Sequence, residues 1–387
     1  MSRSGPVKGL LVAVVASVAA VAGAQFHQHR HQRLPIVAGP AVARVANLSE
    51  YGEGLARTMA DTKVFFLQGA EPGGSALIMA GTHANEIDAL LSALIFVENA
   101  VVEKGTLIVI PQLNHSASVY TRPGDGCPLF YGIETPWGTK VFRFGDRGAS
   151  PLDQWPDPDV YVHYPDAQLL SFLDARNTNR SWPGRPDGLL TERVTAAVMR
   201  LLAEERVDIA LDLHGAETMF PVTNCIVAPE RSMRIATMAS MTVTAMEGFE
   251  NHVEPSPKGF RGLSHREIGD HSDTAPFLLE APFPFLDQPT GPKTRDLLMT
   301  GRDPFLLSLA GQQKLFVPYD ESGWPIEKRV GQHCSVALEI INQFSRKRAD
   351  RAIRISEVPR YADLVRNGVG FYFHDPSKAD PARVHLD

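Results

Sequence analysis

Ser75-Ala76-Leu77-Ile78-Met79-Ala80-Gly81-Thr82-His83-Ala84-Asn85-Glu86 places an apolar strand, a glycine stop and a polar turn in immediate succession. The run that follows, Ile87 to Ala100, repeats Leu90, Leu91, Leu94, Ile95 and Val97 at helical spacing, so it reads as a helix. A buried strand feeding a helix through a short turn is the unit of an α/β sheet covered on both faces. In such sheets the functional groups gather where strands end. The turn carries His83 and Glu86 at i and i+3, a spacing that lets both side chains point the same way.

A second apolar strand, Val207-Asp208-Ile209-Ala210-Leu211-Asp212-Leu213, delivers His214 at its carboxyl end. Two imidazoles and one carboxylate make a ligand set that holds zinc by three protein bonds and leaves a fourth position for water. His83, Glu86 and His214 are therefore the expected ligands of one zinc per chain. Activating that water requires a carboxylate within hydrogen-bond reach that does not ligate the metal. Glu280, after the apolar run Pro276-Phe277-Leu278-Leu279, is the expected base. Glu217 is the runner-up and Glu267 the third candidate. Arg176-Asn177-Thr178-Asn179-Arg180-Ser181-Trp182-Pro183-Gly184 adds an amide and a fixed fork of guanidinium donors suited to a substrate carboxylate, with Asp174 and Asp187 as competing structural partners of Arg180.

In these segments the chain resembles the zinc carboxypeptidase superfamily, specifically its succinylglutamate desuccinylase/aspartoacylase branch. Gly81-Thr82-His83-Ala84-Asn85-Glu86 is similar to the G-T-H-G-N-E signature. Asn177-Thr178-Asn179-Arg180-Ser181-Trp182-Pro183-Gly184 is similar to D-x-N-R-x-F-P-G, and Asp212-Leu213-His214-Gly215 to the strand ending in L-H-G. The resemblance spans roughly residues 60 to 290. The chain departs from it at Ala84, at Trp182 and at Asn177, where a negative charge is lost. It implies a mixed, mostly parallel central sheet with helices on both faces, zinc as cofactor and a base on a late strand. It also implies an arginine upstream of the Asn-Arg pair that stabilises the oxyanion. Arg122 and Arg176 both match that last position. Arg122 is preferred because it follows soon after the strand ending at Asn114, and Arg176 then joins Asn179 and Arg180 in binding substrate.

Composition agrees with one large enzyme domain: 387 residues, 44% hydrophobic and 21% charged. A net charge of −6, with no basic stripe, gives no nucleic-acid footprint. Arg3 and Lys8 precede an uninterrupted small and apolar run, Gly9 to Ala24, that closes on Ala22-Gly23-Ala24. The pattern is that of an export signal cleaved after Ala24. The alternative is an uncleaved anchor through residues 9–24, and either reading puts the rest of the chain outside the cytoplasm, in the periplasm or on the membrane's outer side. The His-rich stretch 25–33 reads as a polar linker.

Cys127, Cys225 and Cys334 have no metal or redox spacing, and allow at most one disulfide and a free thiol. The expected organisation is 1–24 signal or anchor, 25–56 linker and lead-in, and 57–330 catalytic domain. An insertion at 121–165 lies near the site mouth, and 331–387 form a C-terminal helix and a frayed tail. Met233, Met238, Met241 and Met246 fall at helical spacing and read as core.

The sequence thus predicts a zinc-dependent hydrolase that cleaves an amide in a small carboxylate-bearing substrate, of the N-acyl amino acid deacylase type. The alternatives are a zinc carboxypeptidase acting on short peptides such as peptidoglycan stems, and a non-catalytic carboxylate-binding protein on the same fold.

Overall fold

The computed structural model describes residues 4–122 and 128–387; Arg3 of the basic leader, Cys127 and the rest of 123–127 in the insertion lie outside the described residues. An apolar helix, α1 (Ser4–His31), comes first. A nine-stranded sheet follows, built from β1 (Val42–Asn47), β2 (Lys63–Gln68), β3 (Glu71–Met79), β4 (Val101–Ile110), β5 (Ile209–Ala216), β6 (Cys225–Ala228), β7 (His252–Pro255), β8 (Ala275–Pro282) and β9 (Arg354–Ser356). Its order is β7-β6-β8-β5-β3-β4-β2-β1, with β9 also pairing β4. The four central strands β4, β3, β5 and β8 run parallel, and antiparallel strands border them on both sides. This is the mixed α/β sheet expected from the sequence.

The central strands are apolar without a break because both faces are covered. On β3, Ala76 and Ile78 face a core completed by α2 (Ile87–Asn99), α4 (Met233–Glu247) and α6 (Ile326–Lys347). Leu77 and Met79 face the opposite core, completed by α3 (Leu190–Glu204). β4 divides Leu107 and Val109 from Ile108 and Ile110 in the same way, as a two-residue pleat requires. The same alternation fixes the site. Leu211 and Leu213 of β5, like Phe277 and Leu279 of β8, enter the first core. Asp212, His214, Leu278 and Glu280 therefore emerge on the other face.

Two expectations are corrected. The methionines of α4 are not core: Met238, Met241 and Met246 are exposed, and the buried face is Ile235, Ala236, Ala239 and Val243. Small residues let that helix lie close to the sheet, and the larger thioethers turn outward. The tail is not frayed, since 384–386 pair antiparallel with 35–37. Within the 121–165 insertion, 130–135 and 138–143 form a hairpin. Its return strand leads to Asp146, whose carbonyl accepts from Ala84 N (3.0 Å), tying the segment to the His83 turn.

Candidate functional site

Gly81 opens the turn after β3 with φ +67°, a left-handed conformation in which a Cβ would lie 2.9 Å from the Cα of Gln112. The turn presents His83, and Glu86 stands at the N-terminus of α2. β5 brings in His214, and all three side chains are buried. One ligand atom from each lies within 4.8 Å of the others. His83 Nδ1 is 2.6 Å from Glu86 Oε1, and His214 Nδ1 is 2.9 Å from Glu86 Oε2. Gly215 N also donates to Glu86 Oε2 (3.0 Å).

The far nitrogens have partners of their own. His83 Nε2 is 2.9 Å from Asn177 Oδ1, and His214 Nε2 is 3.0 Å from Asp212 Oδ2. Asp212 is held by the hydroxyls of Thr82 (2.8 Å) and Ser264 (2.6 Å), the latter on α5 (Ser264–His271). All four ring nitrogens face acceptor oxygens, and Asp212 and Glu86, against burial, hold His214 well above the ordinary imidazole value. Acceptor oxygens on both sides of each ring, with Glu86 shared between the two, make an arrangement that a cation among His83, Glu86 and His214 satisfies. Partners that fix the far nitrogen are what orient metal-binding histidines, so the residues fit a divalent metal. Asn177, where the resembled motif carries Asp, keeps the contact to His83 but supplies no charge.

Electrostatics follow from burial and these neighbours. Burial pushes His83 down to about 4, with Arg147 adding to the shift. Burial alone would raise Glu86, but His83 and His214 hold its carboxyl below the usual range. Glu280 lies opposite His214 across the β5–β8 ladder. Burial raises its carboxyl well above the ordinary value, and its Oε2 is buried without a hydrogen-bond partner.

These groups open into a cavity of about 490 Å³. Its polar wall includes His83, Glu86, Arg147, Asn179, Arg180, Glu217, His265 and Glu280; its apolar wall includes Val222, Val227, Phe260, Leu263 and Leu278. Arg180 lies 4.6 Å from the centre of the Phe260 ring and 3.8 Å from Asp174, and burial pushes it down to about 10. Asn179 Oδ1 accepts from Ser264 N (2.9 Å), which ties the Asn-Arg segment to α5. The loop before α5 presses on the same segment. Gly262 has φ +81°, and a Cβ there would sit 2.2 Å from the Arg180 carbonyl oxygen.

Five of the expected residues meet at the cavity with His214: His83, Glu86, Asn179, Arg180 and Glu280. Arg122 and Arg176 do not line it. Arg122 pairs with Asp146 (2.8 Å), and Arg176 pairs with Asp157 (3.1 Å) and donates to the Ala149 carbonyl. Arg147 is the arginine that the sequence reading missed. It stands 3.7 Å from Glu86 and 3.5 Å from Asp287 on the cavity wall. The only signal for it was an arginine in a Gly-flanked turn within the insertion. Glu217 lines the cavity, and burial raises it. Glu267 is spent on Arg261 (2.9 Å) and Gly262 N (2.9 Å).

No family model and no curated protein sequence matches the chain. Solved structures similar to it include a metallo-carboxypeptidase from Burkholderia cenocepacia, 14% identical, with a TM-score of 0.46 over 85% of this chain and 68% of that one. The product-bound ectoine utilization protein EutE from Ruegeria pomeroyi is 16% identical, with a TM-score of 0.36 over 57% of this chain and 53% of that one. A succinylglutamate desuccinylase from Silicibacter is also 16% identical, with a TM-score of 0.36 over 59% and 55%. The chain thus spans about half the length of two of these structures and about two thirds of the third.

Proposed function

We propose that this protein is a zinc-dependent hydrolase that cleaves an amide bond in a small carboxylate-bearing substrate. One observation carries the reading: the buried His83, Glu86 and His214 converge beside a half-buried Glu280 whose buried Oε2 has no hydrogen-bond partner, at the end of a cavity that also holds Arg147 and Arg180. Binding alone would not require that combination.

Zinc held by His83, Glu86 and His214 would supply a water of lowered pKa and a Lewis acid for the scissile carbonyl. Glu280 takes the proton from the attacking water on Oε2 and returns it to the leaving nitrogen. Arg147, the guanidinium nearest Glu86 on the open wall, donates to the oxygen that becomes negative as the carbonyl is attacked. Arg180 grips the substrate carboxylate, and its ring contact with Phe260 keeps the fork oriented.

The apolar wall favours a second reading, a carboxypeptidase that removes an apolar terminal residue from a short peptide. Both readings share the metal, the base and the arginines. Elemental analysis of the purified protein, followed by assay of N-acyl amino acids and dipeptides before and after chelation, tests them. The expected result is one zinc per chain and activity that chelation abolishes and zinc restores. Full activity in zinc-free protein would overturn the metal reading. A rate that does not change when the substrate carboxylate is amidated would overturn the role of Arg180. The apolar helix α1 supports a place in or across a membrane, with the rest of the chain exported.

A further inference from the structure

We propose that α1 is retained as a membrane anchor rigidly joined to the globular body, and that the surface around Leu152 and Trp155 lies in the headgroup layer of the same bilayer. This inference does not rest on the hydrolase reading.

The first observation is continuity. α1 runs without a break from Ser4 to His31, straight through Ala22-Gly23-Ala24. Residues Pro6–His31 are long and apolar enough to cross a membrane, and none of the apolar window is buried against protein. A helix that is apolar all round and covered by nothing is stable where lipid covers it.

The second observation is how the helix ends. Its last turn is built into the body rather than tethered to it. His29 is only 1% exposed; its Nε2 lies 2.9 Å from the Phe144 carbonyl oxygen, to which it donates, and its ring lies 5.5 Å from that of Phe130. Arg30 grips Asp153 with both guanidinium nitrogens (2.7 and 3.5 Å), and Asp153 also accepts from Ser116 Oγ (2.6 Å). Gln32 reaches the Val141 carbonyl, and Leu34 N donates to Asp387 (2.8 Å). The joint therefore fixes both the height and the tilt of the body on the membrane.

The third observation is what lies beside that joint. Leu152 and Trp155 flank Asp153, and they are 78% and 74% exposed. From Ala24, the end of the apolar run, to Arg30 is six residues, about 9 Å along a helix axis. The headgroup layer is about 5–8 Å thick on each side. Arg30 thus sits at the outer edge of that layer, and an ordinary tilt of about 20° lowers one flank of the body into it. Trp and Leu side chains extending from this level meet the interface, where tryptophan is favoured. Bilayer is the occupant because the patch adjoins the root of a spanning helix.

The test uses the full chain expressed with its natural amino terminus and reconstituted in vesicles of phosphatidylcholine and phosphatidylglycerol. Intact mass should include residues 9–24; a mature chain starting at Gln25 would overturn the proposal. Trp155 is then read by difference between wild type and Trp155→Phe, which removes the shared signal of Trp137, Trp182 and Trp324. Lipids brominated near the headgroup should remove most of the Trp155 emission, while aqueous iodide quenches it less in vesicles than in detergent. Iodide quenching as strong in vesicles as in detergent, with no effect of brominated lipid, would overturn the interfacial placement even if the anchor is retained.

Discussion

The two sides of the cavity are built by different means. His214 and Glu280 come from neighbouring parallel strands and stand directly opposite each other in the ladder. Arg147 comes from the middle of the 121–165 segment, just past its hairpin, and is placed by that hairpin and by a backbone bond between Asp146 and Ala84. On the strand side, the face each group takes follows from the pleat, a local consequence of sequence, and the ladder then sets the two groups opposite each other. On the insertion side, position follows from contacts between segments far apart in the chain. Strand-borne groups should therefore be intolerant of substitution yet structurally robust, and the insertion should set how well the chemistry runs rather than whether it runs.

The sharpest break of that comparison is His214→Ala. It should lose the zinc and reduce turnover to background, and full zinc occupancy by elemental analysis would remove His214 from the ligand set. Glu280→Gln should keep zinc and fold but lower turnover by roughly 10² to 10⁴. Near-normal turnover would pass the role to Glu217. On the other side of the cavity, Arg147→Met should cost roughly 10² to 10³ in turnover, the usual worth of one oxyanion donor. Arg122→Met should leave steady-state kinetics close to wild type, and the reverse ranking would restore Arg122.

Smaller again, Arg180→Lys keeps charge but loses the fork. Loss of a hydrogen bond to a charged group is worth about 1.5–3 kcal/mol. The Michaelis constant should rise by that measure for carboxylate substrates and much less for their amides. The smallest effect concerns stability. Burial alone would raise Asp387, but His115 and Arg143 hold it below the ordinary carboxylate value. A depressed folded-state pKa stabilises at neutral pH, and that contribution is lost as pH falls through the folded value. Melting temperature should therefore drop on going from about pH 5 to about pH 3, and Asp387→Asn should flatten that drop.

The same comparison explains what the sequence disclosed. β3, the His83 turn, α2, β5 and β8 were legible because continuous apolar runs, a glycine stop and helical spacing are written locally. The ligand candidates followed, since a strand end limits where a side chain can go. Arg122 was chosen by distance along the chain from Asn114, a measure that the intervening hairpin makes irrelevant in space. Arg176 was grouped with Asn179 and Arg180 by adjacency, yet a short helical turn directs it toward Asp157. The exposed methionines of α4 show the same limit, because periodicity gave a helix without saying which stripe faces inward.

Gly262 carries a mechanical consequence. With its backbone against the Arg180 carbonyl, and Ser264 N bonded to Asn179, the stretch bearing Phe260 and the stretch bearing Arg180 have no slack between them. A bulky ligand that prises the phenyl ring outward must drag the guanidinium with it. Widening the cavity and loosening the grip on a charged end are then one motion, so this scaffold cannot be re-bored for larger substrates one residue at a time.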